Sequence, residues 1–329
     1  MDKQARTLVI INPASAGARR SWPRIKDRLR QNGISFDAHE ATHAGDATER
    51  TRAALRDHYE VIAVVGGDGT LSEAAAGFFE FQDDENEAAF RPPSQINGRA
   101  ALAILPAGTG DDFARGMAGG RRVPLEKWLE TFIAYVRLRS SPGHLIDVIH
   151  GQATSGERDF ICINVSTIGL GAEVAARVGQ QGNAMKRLPG EARFVSAALG
   201  ALARWRERRV RVTFDESEPV ETTTNLIAIA NSTHAGGGMM FAPGARVDDG
   251  LIDLMLTQDL TRSTILRELP RIRRGEHLSN PKVSVIKARR VRVETKTLED
   301  ALLVEADGNL RGRTPAEFQI VPRSLRVIS

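Results

Sequence analysis

Apolar runs and helical periodicities alternate along the first 140 residues. Thr7 to Pro13, Val61 to Val65 and Leu102 to Pro106 read as strands, and the segments near Trp22 to Asn32 and Leu71 to Phe79 space their apolar residues as helices do. That order predicts βαβ units and a Rossmann-like parallel sheet in an N-terminal α/β domain. From His144 onward strands dominate: Leu145 to His150, Phe160 to Val165, Val210 to Phe214, Leu226 to Ala230, Leu251 to Leu256, Val283 to Val293 and Leu302 to Glu305. Two helical insertions, near Gly190 to Arg208 and Arg262 to Arg274, interrupt a half that is otherwise mainly β and is expected to form a β-sandwich. Ser140-Ser141-Pro142-Gly143 breaks helix and favours a turn, so the hinge belongs there. The expected domains are residues 1–140 joined by 315–329, and residues 144–314, with a cleft between domains as the default ligand site. Gln82 to Arg99, acidic and then Pro92-Pro93, reads as a surface loop.

Composition narrows the function classes. Hydrophobic residues make up 41% and charged residues 26%, close to globular averages, so neither a disordered nor a fibrous chain is favoured. No run approaches the ~18 apolar residues of a membrane span, and the N-terminus leads directly into a strand, so a cytoplasmic protein is expected. The single cysteine, Cys162 in an apolar run, excludes an internal disulfide and reads as a small buried hydrophobe. Net charge is +4 and the pI is near 9.5, which favours anionic partners. Aromatics are only 5% and do not interleave with basic residues, so nucleic acid is not expected among them.

The densest chemistry lies in Val61-Ile62-Ala63-Val64-Val65-Gly66-Gly67-Asp68-Gly69-Thr70-Leu71-Ser72. A buried strand ends in three glycines within four residues, and a helix follows. Glycines let backbone approach a ligand, and amides at a helix start attract phosphate oxygens. Thr70 is expected to cap that helix, and Asp68 to hold Mg²⁺ or orient a reacting group rather than touch phosphate. A tight turn with an N-cap would need fewer glycines. No Gly-x-x-x-x-Gly-Lys-Ser/Thr occurs, so the cradle is not a P-loop. Two further turns, in Ile10 to Gly17 and Leu105 to Arg115, follow strands of the same sheet, and the three loops would line its carboxyl edge with Asn12, Asp68, Thr109 and Asp112.

An Asn-Pro-x-Ser-Gly-like opening at Asn12, Gly-Gly-Asp-Gly-Thr at Gly66 and Gly-Thr-Gly-Asp-Asp-Phe-Ala-Arg at Gly108 resemble the diacylglycerol kinase catalytic domain of the bacterial YegS-like lipid kinases. Asn164 to Ala172, Asn231 to Gly238, Pro243, Asp249-Gly250-Leu251 and Asp307-Gly308 continue the likeness in order and spacing, from Val9 to Val327. The resemblance implies an NAD kinase/phosphofructokinase-like first domain and a lipid kinase that uses ATP and Mg²⁺. It implies nucleotide binding by Gly66, Gly67, Asp68, Gly69, Thr70, Leu71 and Ser72 with Thr42 and Thr109, and a structural Mg²⁺ held by Asp249 and the carbonyls of Arg246 and Leu251. Without it, Asp248-Asp249-Gly250 is a β-turn.

Two positions depart from the family pattern. Where the family usually has Asp-Gly-Glu, this chain has Asp307-Gly308-Asn309, so an acidic position assigned as catalytic base holds an amide. Asp307 is then the expected base, with Glu305 behind it, and Asp68 and Asp112 position metal or water. Asp111 replaces an asparagine. Ile168-Gly169-Leu170-Gly171-Ala172 resembles a dinucleotide fingerprint, but Val174 stands at its third small-residue position and no βαβ pattern follows. Arg187 to Arg209 carries Phe194, Val195, Ala198, Leu199, Leu202 and Trp205 at helical spacing amid arginines. This suits either an interfacial helix reaching a lipid substrate at a membrane surface or an ordinary packed one. Arg262 to Arg274 is a weaker copy, which Pro270 is expected to interrupt. A soluble-substrate kinase of NAD kinase type and an inactive nucleotide- or lipid-binding regulator are the competing readings, and a homodimer is compatible with the sequence.

Overall fold

The computed structural model describes residues 4–81, 90–138, 143–156, 159–181 and 190–329, with only the backbone described at 190–194 and Leu298. Residues 140–142 of the expected hinge, 82–89 of the expected loop, and 187–189 of the arginine-rich segment lie outside the described residues. The chain forms two compact units, Met1–Val148 with Val321–Ser329, and Ile149–Ile320.

In the first unit the chain runs β1 (Thr7–Ile11), α1 (Ala16–Gln31), β2 (Asp37–Glu40), α2 (Asp46–Arg56), β3 (Val61–Gly66) and α3 (Asp68–Ala76). A short hairpin follows, β4 (Phe79–Glu80) with β5 (Ser94–Gln95), then β6 (Ala101–Pro106), α4 (Asp112–Met117) and α5 (Leu125–Leu138). The strands lie in the order β2-β1-β3-β6, all parallel, and Arg326 to Ile328 add a parallel edge to β6. Strands β1 and β3 are buried along their whole length, as a parallel sheet covered on both faces requires. Helix α1 begins six residues ahead of the expected Trp22. Ser15 caps it by accepting from the Ala18 amide, and the exposed Arg19 and Arg20 give no apolar signal there.

The second unit begins inside β7 (His144–Thr154) and continues through β8 (Asp159–Cys162), β9 (Val165–Gly169), α6 (Leu170–Gly179), α7 (Gly190–Arg204), β10 (Arg208–Phe214), β11 (Val220–Thr224) and β12 (Leu226–Ala230). The hairpin β13 (His234–Ala235) and β14 (Met239–Met240) leads to β15 (Ile252–Thr257), α8 (Arg262–Ile272), β16 (Val283–Ala288), β17 (Arg290–Thr295), β18 (Leu303–Ala306) and β19 (Asn309–Ile328). One antiparallel path runs β16-β15-β12-β9-β18-β19, and β11-β10-β17 reaches β19 from another side. The long β19 serves both: Asn309 to Arg313 pair with β18, and Ala316 to Gln319 with β17. This is a β-sandwich whose core includes Phe160, Ile168, Ile229, Val293, Val304 and Phe318, closed by Leu202 and Trp205 of the α7 segment.

Two expected strands are each split by a carboxylate. Phe160 to Val165 divides because the Ile163 and Asn164 amides donate to Asp307 instead of a ladder. Val283 to Val293 divides at Arg289, whose amide and that of Arg290 donate to Asp215 Oδ1 at 2.8 and 2.9 Å. Helix α8 is not interrupted at Pro270 but runs to Ile272, since a proline so near the end forfeits little of the helix. The fingerprint-like Gly169 caps α6 at φ +87°, and β9 is flanked by antiparallel β12 and β18, so no dinucleotide-binding βαβ unit exists there.

Candidate functional site

Three loops at the carboxyl ends of β1, β3 and β6 are bonded into one structure. The Asn12 amide donates to the Val65 carbonyl at 3.2 Å, Asn12 Nδ2 donates to Thr70 Oγ1 at 2.9 Å, and Ser15 Oγ donates to the Ala107 carbonyl at 3.0 Å. Glycine is required where these backbones meet. A Cβ on Gly17 would lie 2.1 Å from the Ala107 oxygen, and one on Gly108 would lie 2.6 Å from the Gly67 Cα. Gly69 differs: beyond its chain neighbours and its own helix backbone, nothing lies within 4 Å of a Cβ placed there. Helix α3 is capped by Gly67 with no side-chain bond to its first turn. Thr70 is therefore not its cap, because it sits inside the helix and its hydroxyl accepts from Asn12. A glycine-capped helix start beside open space suits a phosphate. Leu71 and Ser72 are buried in the helix behind it.

Asp68 sits where the second and third loops meet. Its Oδ2 accepts from the Asp112 amide and its Oδ1 from the Phe113 amide, both at 3.0 Å, so it ties α3 to the first turn of α4. Burial lifts its pKa from 3.8 to about 7, and the charge of Asp112 adds to this against the two amides. A Cβ on Gly110 would stand 3.2 Å from Asp68 Oδ2 and 3.6 Å from Asp112 Oδ2, so the two carboxylates converge there. Asp111, the departure from asparagine, has φ +50° and its Oδ1 accepts from the Gly108 amide at 2.9 Å. Asparagine and aspartate both tolerate this conformation and present the same acceptor. Thr42 follows β2, where its amide and hydroxyl donate to Asp46 Oδ2 at 2.7 and 2.8 Å. The Thr42 amide is the chief cause of the Asp46 pKa falling to about 2. Thr109 is exposed, and its carbonyl accepts from Arg122 at 3.3 Å.

In the second unit, Asp307 and Gly308 form the two-residue turn between β18 and β19, at φ +51° and +85°. Asp-Gly is the favoured sequence for such a turn. The Asp307 carboxylate has a further role. Its Oδ2 accepts from the Ile163 amide at 2.9 Å, and its Oδ1 from the Asn164 amide at 3.0 Å and from Cys162 Sγ at 3.2 Å. Cys162 is thus a buried partner of this carboxylate, and burial raises its thiol pKa well above the ordinary value. Glu305, also buried, accepts from Thr167 Oγ1 at 2.7 Å and from the Gly308 amide at 2.8 Å, and burial pushes its pKa from 4.5 to about 7. A register shift between Val304 and Glu305 marks a bulge at this end of the hairpin. Asn309 Nδ2 lies 3.5 Å from the Asp307 carbonyl. The roles of Thr167, Cys162 and Asn164 escape a reading of sequence, because Thr167 meets Glu305 only through strand pairing and the other two meet Asp307 only through its folded carboxylate.

The Asp249 turn is occupied by protein groups. Asp249 Oδ1 accepts from the Leu251 amide at 3.1 Å, its Oδ2 accepts from Lys287 Nζ at 2.9 Å, and Lys287 Nζ also reaches Asp253 Oδ2 at 2.9 Å. Arg246 turns its guanidinium to Asp248 at 3.3 Å. The Asp249 and Asp253 oxygens already accept from an ammonium that would repel a second cation, so with Lys287 in place the side chains present do not fit Mg²⁺ at this turn.

Elsewhere in the second unit lies an apolar cavity with about 800 Å³ of empty space, part of it open to solvent, lined by residues that include Leu170, Leu202, Phe241, Met255, Ile265 and Ile272. Its lining is predominantly apolar, as that of ligand pockets is. Helices α7 and α8 each contribute to its wall while exposing Val195 and Leu199, and Leu266, respectively. No helix among the described residues is long and apolar enough to cross a membrane.

The arrangement matches known proteins along nearly its whole length. Residues 6–140 match the diacylglycerol kinase catalytic domain, and residues 166–329 match the YegS C-terminal NAD kinase beta sandwich-like domain. The diacylglycerol kinase of Mycobacterium tuberculosis strain H37Rv is 28% identical over 308 residues, covering 92% of this chain and 87% of that protein. That of Bacillus subtilis strain 168 is 25% identical over 328 residues, covering 98% and 96%. The crystal structure of a diacylglycerol kinase from Bacillus anthracis strain Sterne has the same fold, with a TM-score of 0.67 at 18% identity over 100% of this chain and 98% of that one. The chain belongs to the diacylglycerol kinase catalytic domain family, with the YegS-type sandwich as its second domain.

Proposed function

We propose that this protein is an ATP-dependent lipid kinase that transfers the γ-phosphoryl group to a hydroxyl of a lipid of diacylglycerol, phosphatidylglycerol or sphingoid type. The observation that carries the reading is that one chain holds both a glycine-lined loop with open space at a helix start, in its first unit, and an apolar-lined cavity, in its second. Family membership supports the same class of chemistry.

In this reading the backbone at Gly66, Gly67 and Gly69 and the start of α3 hold the ATP phosphates, with Asn12, Thr70 and Ser72 fixing the loop and Thr42 and Thr109 at its margins. Magnesium would enter with the nucleotide and neutralise phosphate charge, and Asp112 and Asp68 are the acidic side chains that would hold it. Asp68 does so while anchoring α4. Asp307 accepts the proton of the attacking hydroxyl. The hydroxyl oxygen forms the new bond to phosphorus, the bond to the β-phosphate bridging oxygen breaks, and ADP leaves with that electron pair. Positioning and electrostatics supply most of the rate. Outward residues Val195, Leu199 and Leu266 are the contacts for a peripheral membrane approach.

A labelled-ATP assay with magnesium against vesicles containing diacylglycerol, phosphatidylglycerol, sphingoid base or ceramide tests the reading. A labelled lipid is the expected product. Label transfer only to water or to a soluble acceptor such as NAD would overturn it.

A further inference from the structure

We propose that Lys287 is a built-in cation that stands in for the divalent ion which the family resemblance implies beside Asp249, so that this turn keeps its shape without metal. The placement follows from strand register. Asp253 of β15 and Lys287 of β16 are direct cross-strand partners, so their side chains share a face. Gly250, at φ +71°, turns the chain just ahead of β15, and the Asp249 carboxylate reaches the same ammonium. Lys287 Nζ lies 2.9 Å from Asp249 Oδ2 and 2.9 Å from Asp253 Oδ2. Asp253 is 3% exposed, so its charge needs a partner at close range.

Asp249 Oδ2 does not hold the ammonium and a divalent ion at the same time. Mg²⁺ binds carboxylate oxygen at about 2.0–2.1 Å and sheds its waters reluctantly. An ion on Asp249 Oδ2 would share that oxygen with the ammonium and be repelled by it. Asp249 Oδ1 is engaged by the Leu251 amide. Removing the ammonium alone would leave Asp249 and Asp253 facing each other, a pair of oxygen ligands suited to a hard divalent ion. Any magnesium dependence of this chain then belongs to the nucleotide and not to the fold.

Thermal melting without nucleotide tests this, in chelator and in millimolar MgCl₂ at matched ionic strength. Wild type is expected to melt at the same temperature in both. Lys287→Met is expected to melt lower in chelator and to recover with magnesium, and Lys287→Arg to behave as wild type. A saturable magnesium stabilisation of wild type that disappears in Asp249→Asn would overturn the proposal, as would a Lys287→Met protein with unchanged melting and no response to magnesium. Should Lys287→Met fail to fold, calorimetric titration of wild type and Asp249→Asn with magnesium decides alone: heat of binding present in the first and absent in the second refutes the idea, and no binding in either supports it. The readout involves no phosphoryl transfer, so it is independent of the kinase reading.

Discussion

Adding one methyl group at Gly69 separates a role in ligand binding from a role in folding. Gly69 lies in the first turn of α3 with an ordinary negative φ, and beyond its chain neighbours and its own helix backbone an alanine Cβ there meets nothing within 4 Å. Alanine in a helix is favoured over glycine by about 0.5–1 kcal/mol. For a unit of this size, with melting shifts of roughly 2–4 °C per kcal/mol, Gly69→Ala should melt about 1–4 °C higher than wild type. If the loop cradles phosphate, the methyl fills the space that phosphate oxygens need. ATP affinity should then fall at least tenfold, about 1.4 kcal/mol. The contrasting variant is Gly108→Ala, whose methyl would lie 2.6 Å from both the Gly67 Cα and Asp111 Oδ1. Overpacking of this kind costs about 1–3 kcal/mol, so it should melt lower and lose ATP binding as a consequence. Calorimetric titration with ATP and a melting curve on the same samples give both numbers. A Gly69→Ala protein that binds ATP as wild type does would refute the phosphate-cradle assignment, since nothing but a ligand can object to that methyl.

Asp68 has a folded pKa of about 7 against an unfolded value near 3.8, so the native state binds the extra proton and stability falls as pH rises through that window. Asp68→Asn should flatten the melting-temperature profile between these limits, keep the fold and abolish transfer; an unchanged profile would show that the buried carboxyl is not responsible. Asp46 works in the opposite sense: its pKa of about 2 contributes stability that is present above 3.8 and lost as pH falls toward 2, so Asp46→Ala should weaken the protein at neutral pH and lose less than wild type in acid. Asp307→Asn turns an amide NH₂ toward the Ile163 or Asn164 N–H, which should cost about 1–3 kcal/mol in a urea melt. Activity should fall far beyond what that destabilisation explains, and full turnover would remove Asp307 from the role of base. Ala198→Trp fills the apolar cavity from the α7 side and should abolish lipid phosphorylation while leaving the ATP titration unchanged.

The elements legible in sequence are those whose burial is uniform or periodic. Strands β1, β3 and β6 are nearly continuous apolar runs because helices cover both faces of their sheet. Strand β2, Asp37-Ala38-His39-Glu40, is mostly exposed at the sheet edge and carries no such pattern. Its pairing with β1 is a tertiary fact. The close packing of the Gly66 loop was legible for a related reason: glycine density reports close backbone approach, and Gly67 against Gly108 is such an approach. What stayed hidden are links across long separations. Asp68 looks in sequence like a free carboxylate beside a phosphate site, but the amides it accepts from lie 44 and 45 residues later. Asp307 and its partners at Cys162, Ile163 and Asn164 are more than 140 residues apart. The Lys287 contact to Asp249 depends on a β15–β16 register that hydrophobic pattern does not specify.

Both units keep a carboxyl group buried beside a motif loop at a cost to the fold. Asp68 and Glu305 each titrate near 7 because burial penalises their charged form, and each accepts hydrogen bonds that only partly offset the penalty. A neutral acceptor would be cheaper if anchoring were the whole purpose: an amide oxygen at residue 68 could take one of the two α4 amides without the burden of a charge. Asp68 accepts both, one on each oxygen, and stands with Asp112 at the convergence beside Gly110. Glu305 likewise spans Thr167 and the Gly308 amide, and so fixes the turn that carries Asp307. Carboxyl groups poised near neutral pH and braced from both oxygens are what proton handling and cation binding ask of a protein. The same bracing bears on Asn309. The Asp307 carboxylate is oriented by the Ile163 and Asn164 amides, with Asn309 reaching only its backbone carbonyl, so replacing the family's acidic residue leaves the proposed base in place.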